Sequence, residues 1–159
     1  MVEGLAVLAA IVFGYVQLKQ FRQQRADNAA MELMRSLHDP EFIKAFQLIS
    51  TSPKSKLESQ ETVEASLQDA SFLICGRFEA IGQAAYRGSI PFHLIEELAG
   101  GGVVQLWQKI QPFIEGLREE QNYPQLFEWF QWLAEQLEGR GRTDEVPAFI
   151  REKQWRPTS

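Results

Sequence analysis

The stretch VEASLQDASFLICGRFEAIGQAAYRG, residues Val63 to Gly88, decides the fold class of this chain. Its apolar residues recur every three or four positions, which is the period of an α-helix, and they fall on two sides of that helix. The first side consists of Val63, Leu67, Ala70, Ile74, Phe78, Ile81 and Ala85, and the second of Phe72, Cys75, Gly82 and Tyr86 together with the carboxylate of Glu79. We therefore predict a central helix that begins near Ser59 or Glu61, packs on both sides and ends at Gly88.

The rest of the chain shows the same period and no convincing two-residue alternation, so we predict an all-α fold. We expect an N-terminal membrane-spanning helix that continues into a compact bundle of about five to six helices. Before the central helix we predict one helix that ends near Leu37 and a second that is capped by Asp39 and has Pro40 in its first turn. After it we predict a short helix from about Pro91 to Leu98, which Gly100–Gly102 separate from the next helix. That next helix is kinked at Pro112, and the last helix starts near Pro124. Gly76 and Gly82 weaken the central helix, so we expect close packing by a neighbour there.

The segment Gly4–Leu18 contains fifteen consecutive residues without a formal charge. Glu3 before it and Lys19 after it do not match a cleaved signal peptide, which has positive charge in front and small residues behind. The segment reaches roughly 22 Å, which is short against a hydrocarbon core of about 30 Å, so lipid adaptation or snorkelling would have to help it. We predict a membrane anchor over residues 1–18. The alternative is a core or oligomer-forming helix of a soluble protein.

The charges that follow this segment predict its orientation. Lys19, Arg22 and Arg25 come directly after it, and cationic flanks favour the cytoplasmic side, so we expect a single-pass inner-membrane protein with a cytoplasmic C-terminal domain. Spaced three residues apart, these cations stay near one side of a continuing helix and are candidates for lipid head-group contact. A series of small residues that would allow close helix packing in the membrane is formed by Ala6, Ala10 and Gly14.

Charge divides the remaining chain into a helical bundle domain, residues 19–138, and a basic C-terminal tail, residues 139–159. Residues 58–138 hold four Lys or Arg against thirteen Asp or Glu, a net charge of −9, within a chain whose net charge is −5. The tail holds five against three, a net charge of +2. Because nucleic-acid binding rests largely on clustered Lys and Arg, we expect no nucleic-acid partner.

Residues that could carry chemistry are sparse. His38 and His93 have no cysteine or second histidine at ligand spacing, and Cys75 stands alone in an apolar stretch, which is typical of a packed structural thiol. No nucleophile elbow, phosphate loop, zinc-binding helix or dinucleotide fingerprint occurs. We therefore predict no catalytic residue, no metal and no cofactor, and a protein that is not an enzyme.

Glu79 is the one ionisable side chain that stands out, because it lies beside Phe78 and Ile81 on a helix with two apolar sides. A buried carboxylate must be paired, hydrogen-bonded or neutral. We expect a hydrogen bond from another helix, donated by a Trp N–H, a Tyr hydroxyl or an Arg. The alternative is an interhelical pocket in which Glu79 meets a small ligand or acts in an enzyme.

Several short segments together resemble a known family. They are HDPEF at residues 38–42, FEAIG at 78–82, QPFI at 111–114 after Trp107, and YPQLF at 123–127. With an apolar N-terminus that runs into a basic, Gln-rich helix, they resemble an uncharacterised bacterial domain-of-unknown-function family of single-span, membrane-anchored helical proteins over about residues 5–138. The resemblance implies an anchor and an all-α cytoplasmic domain, and it supplies no catalytic residues. Cys75, Arg77 and the triple glycine depart from the plainer apolar pattern expected there.

The anchor and the absence of a chemical motif predict a membrane-tethered helical interaction or scaffold module. Its expected partners are membrane lipid and a protein, which could be a second copy of the chain. The alternative is a soluble oligomeric regulatory bundle whose N-terminal helix forms core or subunit contacts. Tyr123, Phe127 and Trp132 fall partly off the apolar stripe of the last helix, which leaves room for an exposed interaction patch.

Overall fold

The computed structural model describes residues 2–57, 63–140 and 148–156, and within these ranges it leaves undescribed the side chains of residues 2–11, 22, 26, 148 and 151. The described residues form helices and no strand, which confirms the all-α prediction. The helices are α1 (Val2–Leu37), α2 (Pro40–Thr51), a 3₁₀ turn (Lys54–Leu57), α3 (Ala65–Tyr86), α4 (Phe92–Gln121), α5 (Glu128–Gly139) and α6 (Ala148–Arg151).

The junction between α1 and α2 forms as the sequence predicts. The Asp39 side chain accepts a hydrogen bond from the Glu41 backbone N–H at 2.8 Å, and Pro40 occupies the first helical position. The residue before a proline is biased away from the helical conformation, so the chain leaves α1 here and restarts in a new direction.

The core is built around α3, which packs against α2 on one side and α5 on the other. Phe78 is the aromatic centre of this arrangement: its ring stacks on Phe130 of α5 at 5.1 Å between centroids and meets Phe42 of α2 edge-on at 5.7 Å. The helix α4 closes the bundle with a buried row that includes Val103, Leu106, Trp107, Ile110, Phe113 and Ile114. The predicted two-sided packing of the central helix is therefore confirmed.

The helix boundaries differ from the predictions in three places. The central helix α3 begins at Ala65 rather than near Ser59 or Glu61, and Glu64 is its N-terminal cap residue. The predicted break at Gly100–Gly102 is wrong, because one helix, α4, runs through the glycines and through Pro112. A Cβ on Gly100 would meet Leu137 at 3.6 Å, and one on Gly102 would meet Phe46 at 3.7 Å, so tertiary packing supports the helix where its propensity is lowest. The helix α5 starts at Glu128 rather than near Pro124, because Phe127 has a left-handed backbone conformation with φ of 55°.

The part of α1 between residues 12 and 21 stands clear of the bundle. Its large apolar side chains are exposed, and they are Val12, Phe13, Tyr15, Val16, Leu18 and Phe21. In the described part of the chain no helix combines the length and apolar character that crossing a membrane requires, so the predicted span is not confirmed. Much of the predicted anchor, residues 1–18, lies among the residues whose side chains the structure does not describe. Beyond Phe21 the helix is polar, which limits the apolar stretch at that end.

Candidate interaction surface

Glu79 joins α3 to the start of α5. Its Oε2 accepts a hydrogen bond from the Phe130 backbone N–H at 2.9 Å. The first N–H groups of a helix have no partner within that helix, so a carboxylate placed there satisfies a donor and complements the helix dipole. The expected interhelical hydrogen bond is present, and its donor is a backbone amide rather than a Trp, Tyr or Arg side chain.

Gly82 lies one turn after Glu79 and permits this contact. A Cβ at Gly82 would lie 2.3 Å from the carbonyl oxygen of Trp129, whereas a Cβ at Gly76 would meet nothing within 4 Å. Close packing by a neighbour is therefore correct for Gly82 and wrong for Gly76. The pair Glu79 and Gly82 fixes where α5 begins against α3.

The electrostatics of Glu79 agree with this structural role. Burial raises the pKa of its carboxyl group, and the neighbouring charge of Glu128 adds to that rise, while the hydrogen bonds from the Phe130 and Trp129 backbone amides oppose it. The folded state therefore holds a proton on Glu79 more tightly than the unfolded chain does. The Oε2 atom of Glu79 accepts its hydrogen bond from the first turn of α5, and among the described residues no other acid or histidine hydrogen-bonds to this carboxylate.

A cluster of aromatic rings covers the adjoining outer surface, and we call it the aromatic surface: Tyr86, Phe92, Trp129, Trp132 and the guanidinium of Arg140. Tyr86 lies 4.6 Å from Trp129 and 5.8 Å from Trp132, measured between ring centroids. Arg140 lies over the Phe92 ring at 4.3 Å. Tyr86 is 63 % exposed. A contiguous group of large rings that is only partly covered is a candidate surface for binding another molecule.

Carboxylates border the aromatic surface along α5. Glu128 precedes Trp132 by four residues and Glu135 follows it by three, so both lie one turn from Trp132 on the same side of the helix, and both are exposed. The sequence of α5 contains three Glu residues and no Lys or Arg. Trp132 therefore lies between exposed carboxylates. The interaction patch predicted from the sequence, Tyr123, Phe127 and Trp132, shares only Trp132 with the aromatic surface.

The residues predicted to act in the N-terminal helix are described only in part. Lys19 and Arg25 are exposed, and the side chain of Arg22 lies outside the described residues. Ala6 and Ala10 are also outside them. Around Gly14 an added Cβ would meet nothing within 4 Å, so this position is open on the described surface of α1. Among the described ones, Gly14, Lys19 and Arg25 make no contact with the aromatic surface.

Three cations connect helices of the bundle, and the sequence analysis predicted no structural role for any of them. Arg77 donates to the Ser36 carbonyl and hydroxyl at 3.1 and 2.9 Å and to Asp39 at 3.2 Å, which ties α3 to the α1–α2 junction. This contact accounts for the departure noted at Arg77.

The second and third of these cations act at helix ends. The ammonium of Lys109 donates to three carbonyls at the end of α2, including Ser52 at 3.0 Å. Arg118 donates to the Leu126 carbonyl at 2.9 Å and to Gln131 at 2.7 Å, which fixes the connection between α4 and α5. Their positions in the sequence reveal no role, because each partner is brought close only by the fold.

Cys75 is fully buried, and burial raises the pKa of its thiol, so the residue is a packed structural thiol. A ring nitrogen of His38, Nδ1, lies 2.7 Å from the Met34 carbonyl at the end of α1. These positions agree with the structural roles predicted for Cys75 and His38.

The family model described as "Domain of unknown function (DUF4760)" matches residues 4–137, which is most of the chain. No curated protein and no solved structure matches.

Proposed function

The chain belongs to the DUF4760 family, and from that premise we propose that it is a membrane-tethered helical interaction module without catalytic activity of its own. The observation that carries the proposal is the unpartnered apolar side chains of α1. Val12, Phe13 and Tyr15 are each at least 60 % exposed. Exposed apolar residues in water are unfavourable by about 25 cal/mol for each Å² of apolar surface, so an apolar environment would stabilise this part of α1.

The distribution of these side chains around α1 favours lipid as that environment. At 100° per residue from Phe13, Phe21 lies at about 80°, Leu18 at about 140°, Tyr15 at about 200° and Val16 at about 300° around the helix axis. All five side chains are exposed, so the apolar character is not confined to one stripe. A helix that packs against one partner helix presents a single apolar face, whereas a helix in lipid is apolar on all sides.

The charges of α1 give the tether its proposed orientation. Lys19 and Arg25 are exposed directly after the apolar residues, and Arg22 stands between them in the sequence. Cations at this position would contact anionic head groups on the cytoplasmic side of the inner membrane, with the bundle in the cytoplasm. The aromatic surface would then be available to a protein partner.

A second candidate function is self-association through α1 in an oligomeric regulatory protein. It is favoured by the finding that, among the described residues, no helix is long and apolar enough to cross a membrane. The open surface at Gly14 would allow a second copy of α1 to approach closely. In this case the exposed apolar residues would form the contact between subunits.

Carbonate extraction of membranes from cells that express the full chain tests the tether. We expect the wild-type chain to stay in the membrane pellet and the variant Phe13→Gln/Val16→Gln/Leu18→Gln to be released. A matched control, Met31→Gln/Met34→Gln, changes exposed apolar residues of the same helix nearer the bundle and should stay in the pellet.

Sedimentation in detergent-free buffer separates the two candidates. A wild-type chain that is released by carbonate and forms a defined oligomer, which the triple variant converts to a monomer, supports self-association and rejects the tether. A wild-type chain that is released and monomeric rejects both.

A further inference from the structure

The aromatic surface and the C-terminal tail each carry large apolar side chains that the described part of the chain leaves partly or fully exposed. In the tail, Phe149 is 79 % exposed, Ile150 is 53 % exposed and Trp155 is 69 % exposed. On the bundle, Tyr86 is exposed, and Trp129 and Trp132 are partly exposed. Each element therefore offers large apolar side chains that, within residues 2–57, 63–140 and 148–156, are at least partly exposed.

The charges of the two elements are opposite. Trp132 has the exposed carboxylates of Glu128 and Glu135 one turn away on either side. In the tail, the exposed cation Lys153 lies two residues before Trp155 and the exposed cation Arg156 directly after it. The tail carries a net charge of +2, and residues 58–138 carry −9. Opposite charges around apolar anchors favour the encounter and fix its orientation.

The starting point of the tail indicates how two copies could exchange tails. Arg140, the second residue of the tail, lies over the Phe92 ring at the edge of the aromatic surface, so the tail leaves the bundle beside the surface that it complements. When attachment point and docking surface are adjacent, two copies related by a two-fold axis can each place a tail on the other, and the assembly closes.

We propose that residues 148–156 of one copy bind the aromatic surface of a second copy. Trp155 and Phe149 are the apolar anchors, and they contact Tyr86 and Trp132. The cations of the tail pair with the carboxylates of α5. The contact uses no residue of the N-terminal helix, so it is independent of whether that helix enters a membrane.

Complementation between two full-length variants tests this contact. The surface variant is Tyr86→Ser/Trp132→Ser, which keeps its tail, and the tail variant is Phe149→Ser/Trp155→Ser, which keeps its surface. One copy is immobilised on a biosensor and the other is in solution, in the same detergent throughout. We expect each variant to lose at least about tenfold in affinity for itself, equivalent to about 1.4 kcal/mol, and the mixed pair to regain binding through one contact.

Two further variants test the contribution of charge to this contact and the specificity of the loss of binding. Glu128→Gln/Glu135→Gln removes the acidic border without touching a ring, and we expect it to weaken binding of the tail several-fold and to reduce the effect of salt on that binding. Met31→Ser alters an exposed apolar residue on α1 and should bind as the wild type does.

Three results would overturn the proposal. The first is equal self-association of the wild type and both variants, which would place the contact elsewhere. The second is absence of binding in the mixed pair, which would exclude a contact between copies. The third is retention of binding in the tail variant together with loss of its binding to vesicles of anionic lipid, which would assign the tail to a lipid surface.

Discussion

Substitution of Gly82 by alanine tests the docking of α5 on α3 most directly. The added Cβ would lie 2.3 Å from the Trp129 carbonyl oxygen and 2.8 Å from its carbonyl carbon, about 1 Å inside an ordinary contact. Both atoms belong to the backbone at the first turn of α5, so no flexible side chain can move aside. The two helices must separate, and the hydrogen bond from the Phe130 N–H to Glu79 must lengthen from 2.9 Å.

The size of the effect follows from three contributions. Overpacking of a core contact costs typically about 1–3 kcal/mol, and a clash with backbone belongs at the upper end. Loss of the Glu79 hydrogen bond adds about 1 kcal/mol. Alanine stabilises a helix interior by about 1 kcal/mol over glycine, which offsets part of the loss. We expect Gly82→Ala to lower the free energy of unfolding by about 3 kcal/mol, which corresponds to a fall in Tm of about 6–12 °C.

Thermal unfolding of the full chain, followed by circular dichroism at the helical band, measures this change. Gly76→Ala is the matched control in the same helix, because its Cβ would meet nothing within 4 Å. The control should gain up to about 1 kcal/mol from helix propensity and unfold at a slightly higher temperature. A Gly82→Ala chain that is as stable as the wild type, or as stable as Gly76→Ala, would refute the close approach of α3 and α5.

Three other perturbations probe the remaining contacts. Lys109→Met removes an ammonium that donates to three carbonyls, so we expect a loss of about 1–3 kcal/mol in urea unfolding, while Lys44→Met, at an exposed position on α2, should change it by less than about 0.5 kcal/mol. The Glu41 backbone N–H and the guanidinium of Arg77 hold the pKa of Asp39 below its ordinary value of 3.8. The resulting stabilisation is present above that value and is lost as the pH falls through the lower folded pKa, so Asp39→Asn should flatten this part of the acid-unfolding curve. Cys75 is fully buried, so a thiol reagent should modify it only at the rate of unfolding, and rapid modification of the folded chain would contradict its packing.

The junction at Asp39 and Pro40 shows which features of the fold the sequence predicts well. A capping side chain and a proline restrict the backbone through contacts within a few residues, so local sequence suffices to place the end of α1 and the start of α2. The same holds for the two apolar sides of α3, because helical period alone reveals them.

The glycines at 100–102 show where local reasoning fails. Their low helix propensity predicts a break, yet α4 continues because Leu137 and Phe46 pack against them from other helices. The structural contacts of Arg77, Lys109 and Arg118 were missed for the same reason, since their partners lie far away in the sequence. Trp132 is the one residue of the aromatic surface that the sequence analysis placed in an interaction patch. Tyr86 and Arg140 come close to it only once α3, α4 and α5 have packed, so local sequence does not reveal them.

The length of α1 sets the distance between the proposed membrane tether and the acidic residues of the bundle. Phe21 is the last exposed large apolar residue of the part of α1 between residues 12 and 21, and Leu33 is the first residue of α1 with a described side chain that is fully buried in the bundle core. The helix between them is about 18 Å long. The Debye length at physiological salt is about 8 Å, so charges separated by this distance are largely screened from each other. Under the proposed tethering, the polar part of α1 would hold the acidic residues of the bundle far enough from anionic head groups that their repulsion opposes binding little, while Lys19 and Arg25 remain close enough to the head groups to contribute.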